Sequence, residues 1–265
     1  MRSIALARAL IVISVASVAL LSLCYGDFVP LGQSFGHWLP WRGAWVHGSA
    51  LLLLAAGAGL CFSRTAVPSA LALCSYQAAF AVICALPVLS QPLGVGAWYG
   101  FCEALAPLIG AWILYALLRG QSGRAQAPIT GARAMRTAQV LFGLSCVFYG
   151  WSHFAYAGYT ATFVPSWLPG RLGFAYLTGL GHVAAGIGLV VGVLPRLAAT
   201  LEAAMMSLFG LLVWVPSFFA QPTPAWATPA QTRWSELVVT FVLAAAAWVI
   251  AISLGNRSWG FRARP

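Results

Sequence analysis

Long apolar runs separated by short polar or basic breaks fill the chain from end to end. Eight of them reach the length of a membrane span, at approximately 8–26, 43–63, 66–89, 96–118, 136–157, 171–192, 196–219 and 234–254. A hydrocarbon core about 30 Å thick takes about 20 apolar residues of helix. The pattern therefore predicts an all-α membrane protein with eight transmembrane helices. Composition agrees: of 265 residues 61% are hydrophobic and 7% charged, and mean hydropathy is +0.87. Aqueous globular chains carry roughly 25% charged residues.

Charge orients these helices. All 14 basic residues are arginine. With a cytoplasmic N-terminus, Arg2, Arg8, Arg64, Arg119, Arg124, Arg133, Arg136, Arg196, Arg257, Arg262 and Arg264 fall inside, and only Arg42, Arg171 and Arg233 outside. That is the positive-inside bias, and it predicts an even number of spans with both termini cytoplasmic in a bacterial-type inner membrane. The formal charge of +10 is thus a topology signal. The arginines are scattered over loops with no basic face or stacking platform, which argues against nucleic acid as a partner. Anionic lipid headgroups and the bilayer itself are the expected partners.

Arg2 and Arg8 ahead of an apolar run also resemble a signal peptide, and Leu21-Ser22-Leu23-Cys24 a lipoprotein box. Leu23 stands where a small residue belongs, so the segment is expected to be retained as the first span. Six cysteines (Cys24, Cys61, Cys74, Cys84, Cys102 and Cys146) lie in or at the edges of spans with no Cys-x-x-Cys pair. They read as small buried hydrophobes rather than a dithiol centre.

Shifted by 129 residues, the chain lays Trp38-Leu39-Pro40 on Trp167-Leu168-Pro169 and Arg42 on Arg171. The same register pairs Gly57 and Gly59 with Gly186 and Gly188, Phe80 with Phe209, and Pro87 with Pro216. A shorter shift pairs Tyr25-Gly26 with Tyr149-Gly150, and the fourth span of each half carries Trp98 then Glu103, or Trp234 then Glu236. The pattern predicts two tandem, parallel four-helix bundles about a pseudo-two-fold along the membrane normal. They would comprise residues 1–119 and 136–256, with a basic linker at 120–135 and a cytoplasmic tail at 257–265.

In each unit the longest outer loop, Asp27 to Trp41 or Gly158 to Gly170, is rich in Phe, Trp and Pro. It is expected to form an interfacial belt, with a lid over an outward cavity as the alternative. Gly179, Gly181, Gly186, Gly188 and Gly192 suit close helix packing. Pro87 and Pro216 should kink or end their helices, and Gln221-Pro222-Thr223-Pro224 opens an extended loop.

A set of motifs in the second half carries a family resemblance. Phe142-Gly143, Tyr149-Gly150, His153-Phe154, Phe163-Val164-Pro165-Ser166-Trp167-Leu168-Pro169, Thr178-Gly179, Gly186-Ile187-Gly188-Leu189 and Pro216 resemble the DoxX/DoxD-like membrane proteins over about residues 136–255. The first half resembles them only through its match to the second. The resemblance implies four-helix units accessory to membrane redox or thiol homeostasis, with quinone as a ligand and a membrane redox complex as partner. One departure is plain: an acidic residue often follows the glycine of the second span by three positions in that family, and here Gly179 is followed by His182.

Function is sought where polar groups persist in lipid, because a central charge costs about 2.5–3.5 kcal/mol even on insertion scales. The acids are Asp27, Glu103, Glu202 and Glu236; the histidines are His37, His47, His153 and His182. Only His182 is near mid-span, and Glu202 stands apart toward the cytoplasmic side. The plain expectation for each acid is an arginine partner at the membrane edge, such as Arg171 or Arg233 for Glu236. For His182 it is a hydrogen bond to a neighbouring helix. The functional expectation is an outward pocket in the second unit, lined by His153, Trp167, Arg171, His182 and Glu236 and holding a quinone or lipid. Asp27, Arg42, His47 and Glu103 form a secondary group in the first unit.

His153 and His182 lie 29 residues apart, a weak basis for metal or haem ligation. No nucleotide loop, catalytic triad or haem motif marks an autonomous enzyme. The rival readings are a small-molecule or lipid transporter and a structural subunit of a membrane complex.

Overall fold

The computed structural model describes residues 2–29, 39–121, 128–219 and 229–255. Of the residues singled out above, His37, Trp38, Arg124, Gln221 to Pro224, Arg257, Arg262 and Arg264 lie outside these. The described residues are helical and contain no strand. The elements are α1 (Arg2–Tyr25), α2 (Arg42–Cys61), α3 (Ala66–Ser90), α4 (Val95–Gln121), α5 (Ala132–Ala155), a short α6 (Ala157–Phe163), α7 (Arg171–Val191), α8 (Pro195–Ser217) and α9 (Ala230–Ser253).

Seven of them, all but α5 and α6, are long and apolar enough to cross a membrane. Where a fifth span was expected the structure has the 24-residue helix α5, which is not among those seven. Arg133, Arg136, Thr137 and Gln139 near its start lower its hydropathy, so its composition does not mark it as the others are marked.

Packing sorts the helices into an interior and a rim. In α4 and α9, 72% and 67% of the most apolar stretch is buried, against 28–33% in the other five membrane-length helices. The rim helices turn Ile13, Leu51, Val82, Leu86, Leu177, Leu180 and Ile187 outward, where a water-facing helix would carry charge. Lipid is the solvent that suits such a surface. Helix α1 packs on α2, α3 on α4, α5 on α7, and α8 on α9; α4 also meets α5, α9 meets α1, and α4 and α9 meet each other at the centre.

Close approach is set by glycine and by arginine. Along the antiparallel α5–α7 seam a Cβ added at Gly186 would stand 2.5 Å from the Gly143 carbonyl oxygen, and one at Gly150 would stand 2.6 Å from that of Gly179. The other glycine row of α7 faces α8, where Gly181 adjoins Met205 and Gly188 adjoins Ala198. At the far end of the seam the Arg136 guanidinium donates to the carbonyls of Leu189 (2.7 Å) and Val190 (2.5 Å). These are carbonyls that a helix end leaves without an internal donor. Arg8 donates in the same way to the Leu60 carbonyl at the end of α2 (Nε, 2.8 Å).

A second device recurs at the helix starts. Trp41 before α2 and Gly170 before α7 are both left-handed, at φ 52°, ψ 37° and φ 65°, ψ 44°. A residue with a Cβ gives up about 1 kcal/mol there.

The prolines act as expected in α3, which ends three residues after Pro87. In α8 the outcome is subtler. Pro216 has no N–H to offer the Leu212 carbonyl, and the turn before it widens into a π segment, Gly210–Trp214, in which the Val215 N–H bonds the Gly210 carbonyl. Pro107 within α4 likewise leaves the Glu103 carbonyl without its usual helical donor.

Gly186→Ala should therefore destabilise the protein by about 1–3 kcal/mol, the usual cost of overpacking. Gly173→Ala, which meets open space, should leave it unchanged. Thermal unfolding of the purified variants in detergent measures both.

Candidate functional site: a buried imidazole–carboxyl pair

His182 lies eleven residues into α7, about 16 Å along its axis, and Glu202 seven residues into α8, about 10 Å along. The short turn between these helices brings the two side chains face to face. A hydrogen bond of 2.8 Å joins His182 Nδ1 to Glu202 Oε1, and each residue is only 1% exposed. The other carboxyl oxygen, Oε2, is buried without a hydrogen-bond partner. The Cys146 thiol of α5 faces the same carboxyl.

Three aromatic rings close around the imidazole. His153, near the end of α5, places its ring 5.0 Å from that of His182, edge to face, and stacks on Phe209 at 6.0 Å. Its Nδ1 is 3.0 Å from the Thr178 hydroxyl. Tyr149 sits 5.9 Å from the His182 ring, and its hydroxyl donates to the Cys102 carbonyl at 2.9 Å. Phe209, also 5.9 Å away, immediately precedes the π segment of α8. Such widened turns are frequent at functional sites, where they re-aim neighbouring side chains.

Of the five residues expected to line a pocket, His153 and His182 are brought together. Trp167 is 70% exposed. Arg171 at the start of α7 is exposed and makes no hydrogen bond or ion pair among the described residues. Glu236 makes no ion pair with an arginine among the described residues, contrary to the plain expectation. Arg233 instead donates to the Ser217 carbonyl at 2.7 Å and lies 5.5 Å over the Phe218 ring, while Glu236 and Glu103 lie on two helices, α9 and α4, that pack on each other.

In the first half of the chain Asp27 and Arg42 form an ion pair, with Arg42 also 5.5 Å over Phe28. His47 is exposed and bonded to its own helix at the Gly43 carbonyl, 2.6 Å. Glu103 is buried.

Glu202 is the residue that sequence reasoning left out, although a signal for it existed. The shift that places His182 on Leu53 places Glu202 on Leu73. Two departures in one register, on consecutive helices, mark a contact. Leu53 and Leu73 are themselves buried, at 2% and 1% exposure, and both border a cavity of about 20 Å³ among α1, α2, α3, α4 and α9. That is room for one water molecule.

The pair can hold a proton between imidazole and carboxyl and pass it to an acceptor at the free carboxylate oxygen or at His153. Losing one partner strands the other in a dry site. His182→Leu should therefore cost about 3–5 kcal/mol, whereas His182→Leu/Glu202→Leu, which reproduces Leu53 and Leu73 of the first half, should recover most of it. A double-mutant cycle on thermal stability decides; equal losses in single and double variants would refute the coupling. No protein-family model matches the chain, nor does any curated protein or solved structure.

Proposed function

We propose that the chain is a multi-pass protein of a bacterial-type inner membrane, with α5 as an eighth span and both termini cytoplasmic. In this reading it is two tandem units of the DoxX/DoxD-like kind, and its second unit serves membrane redox or thiol homeostasis. Several features support the duplication. The helix contacts follow a two-fold scheme, in which α1–α2 answers α5–α7, α3–α4 answers α8–α9, and α4–α5 answers α9–α1. Arg8 and Arg136 perform one task 128 residues apart, and Trp41 and Gly170 another 129 apart. α5 runs antiparallel to α7 along its whole length, and its Arg136 and Gln139 spend their polar groups on α7 carbonyls, which suits a span rather than a surface helix.

The observation that carries the functional reading is the His182–Glu202 pair, buried beside His153 with one carboxyl oxygen unanswered. Ionisable groups held at such depth in a membrane protein are functional by default, since packing alone is served better by leucine. The pair and His153 offer hydrogen bonds to the oxygens of a quinone or similar amphipathic ring, and protons when that ring changes redox state. Electrons would come from a membrane redox complex.

A transporter of small molecules or lipids is the second reading, favoured by the π segment of α8 next to proton-exchanging groups. Substrate flux in proteoliposomes containing this chain alone separates it from the first.

Titration of the purified protein with a short-chain quinone, followed by tryptophan fluorescence, tests the leading reading. His182→Leu/Glu202→Leu should weaken binding roughly ten-fold or more, equivalent to about 1.4 kcal/mol. Equal affinity in wild type and variant would remove the site from quinone chemistry.

A further inference from the structure

Leucine does not fill the interior of the first half completely. The cavity of about 20 Å³ beside Leu53 and Leu73 has a neighbour of about 20 Å³ toward the end of α1 that leads into Asp27, among Ser22, Phe28, Val29, Ser49 and Tyr76. Val18, Leu53 and Gln77 border both. Each has room for one water molecule.

Whether such a space is wet depends on its polar lining, because a buried water needs roughly two to four partners. Gln77 stands about halfway along the 25-residue α3 and is only 6% exposed. Its amide makes no hydrogen bond among the described residues, although it carries an acceptor at one end and two donors at the other. A buried amide left unanswered is strongly destabilising.

Polar groups continue on either side of it. In the inner cavity, beside Leu73, Ser14 donates to the Leu10 carbonyl at 2.8 Å, so its oxygen is left as an acceptor. In the outer one Ser49 donates to the Val46 carbonyl at 2.9 Å and is left as an acceptor in the same way. Ser22, 4% exposed, has a hydroxyl with no hydrogen bond among the described residues, and Tyr76 completes the polar lining. An inner water thus meets Gln77 and Ser14, and an outer one meets Gln77, Ser22, Ser49 and Tyr76.

We propose that the first half of the chain carries an internal hydration site, two water molecules held on either side of the Gln77 amide. The second half has no counterpart, since the 129-residue register sets Met206 against Gln77. The site is independent of the His182–Glu202 pair and of any ligand bound there.

Magnetisation transfer from water to the side-chain amides of the full chain, isotope-labelled at glutamine and held in lipid nanodiscs, tests this. Gln139 is the internal control: it is as buried, 7% exposed, but its Nε2 donates to the Leu189 carbonyl at 2.8 Å. Gln77→Met and Gln139→Met assign the two signals, and Gln77→Leu serves for the first if the methionine variant does not fold. The Gln77 amide should take up water magnetisation several-fold more strongly than the Gln139 amide; transfer no stronger than the control overturns the site. Xenon, which enters dry apolar cavities, checks each water in the wild type without any substitution. Valine methyl shifts under xenon pressure report it, Val242 for the inner cavity and Val29 for the outer. Neither should move, and a shift at either one overturns the water on that side.

Discussion

Glu202 is 1% exposed with no arginine partner among the described residues, and a carboxyl in that position has to be answered by another side chain. His182 gives the answer, and the local architecture follows from the need to bring it within 2.8 Å. Helix α7 has to lie close to α8 on one side and to α5 on the other. Its glycines are arranged accordingly: Gly179 and Gly186 face α5, while Gly181 and Gly188 face α8. Each row repeats every seven residues, two helical turns, so each face stays in register with its neighbour. The glycine rows are therefore the steric condition for the polar contact. Dispersion between backbones drawn this close offsets part of the desolvation that the buried pair costs.

The rest of the bundle solves a related problem, the backbone groups that helix ends leave over. Arg8 on α1 reaches the last carbonyls of α2 and Arg136 on α5 those of α7, and Arg233 reaches the Ser217 carbonyl beyond the π segment. Long side chains can do this because the stem lies along apolar surface while the guanidinium finds the helix end. The arginines are thus topological markers in sequence and structural braces in space. One residue type serves both roles because both belong at helix ends.

Which parts of this were legible in advance follows from range. Hydropathy is local, and it located every long helix to within a few residues, including α5, whose polar first turns place it below the apolarity of its neighbours. Proline chemistry is local too, and α3 ends where Pro87 implies. The π segment was not readable, because it depends on Gly210 accommodating Phe241 as well as on Pro216. The pairing of His182 with Glu202 depends on how two helices rotate about their axes, which neither helix encodes alone. An arginine partner for Glu236 was the reasonable expectation from proximity along the chain. It failed because Arg233 donates to the Ser217 carbonyl instead.

The first half clarifies what the second is for. In the register of the proposed duplication, Leu53 and Leu73 occupy the places of His182 and Glu202, and they pack as a leucine pair would, leaving a void the size of a water molecule. Stability can be had at this position without ionisable groups. An imidazole and a carboxyl that stand together in one half, where the other has two leucines, behave as a unit, since either alone would be stranded in the interior. The same comparison extends to the buried Gln77, which in the 129-residue register stands in the first half where Met206 stands in the second. Each half keeps polar groups inside but places them differently. On the proposed duplication the two halves differ in this way, the first filling the position with leucines and the second with a polar contact that costs stability.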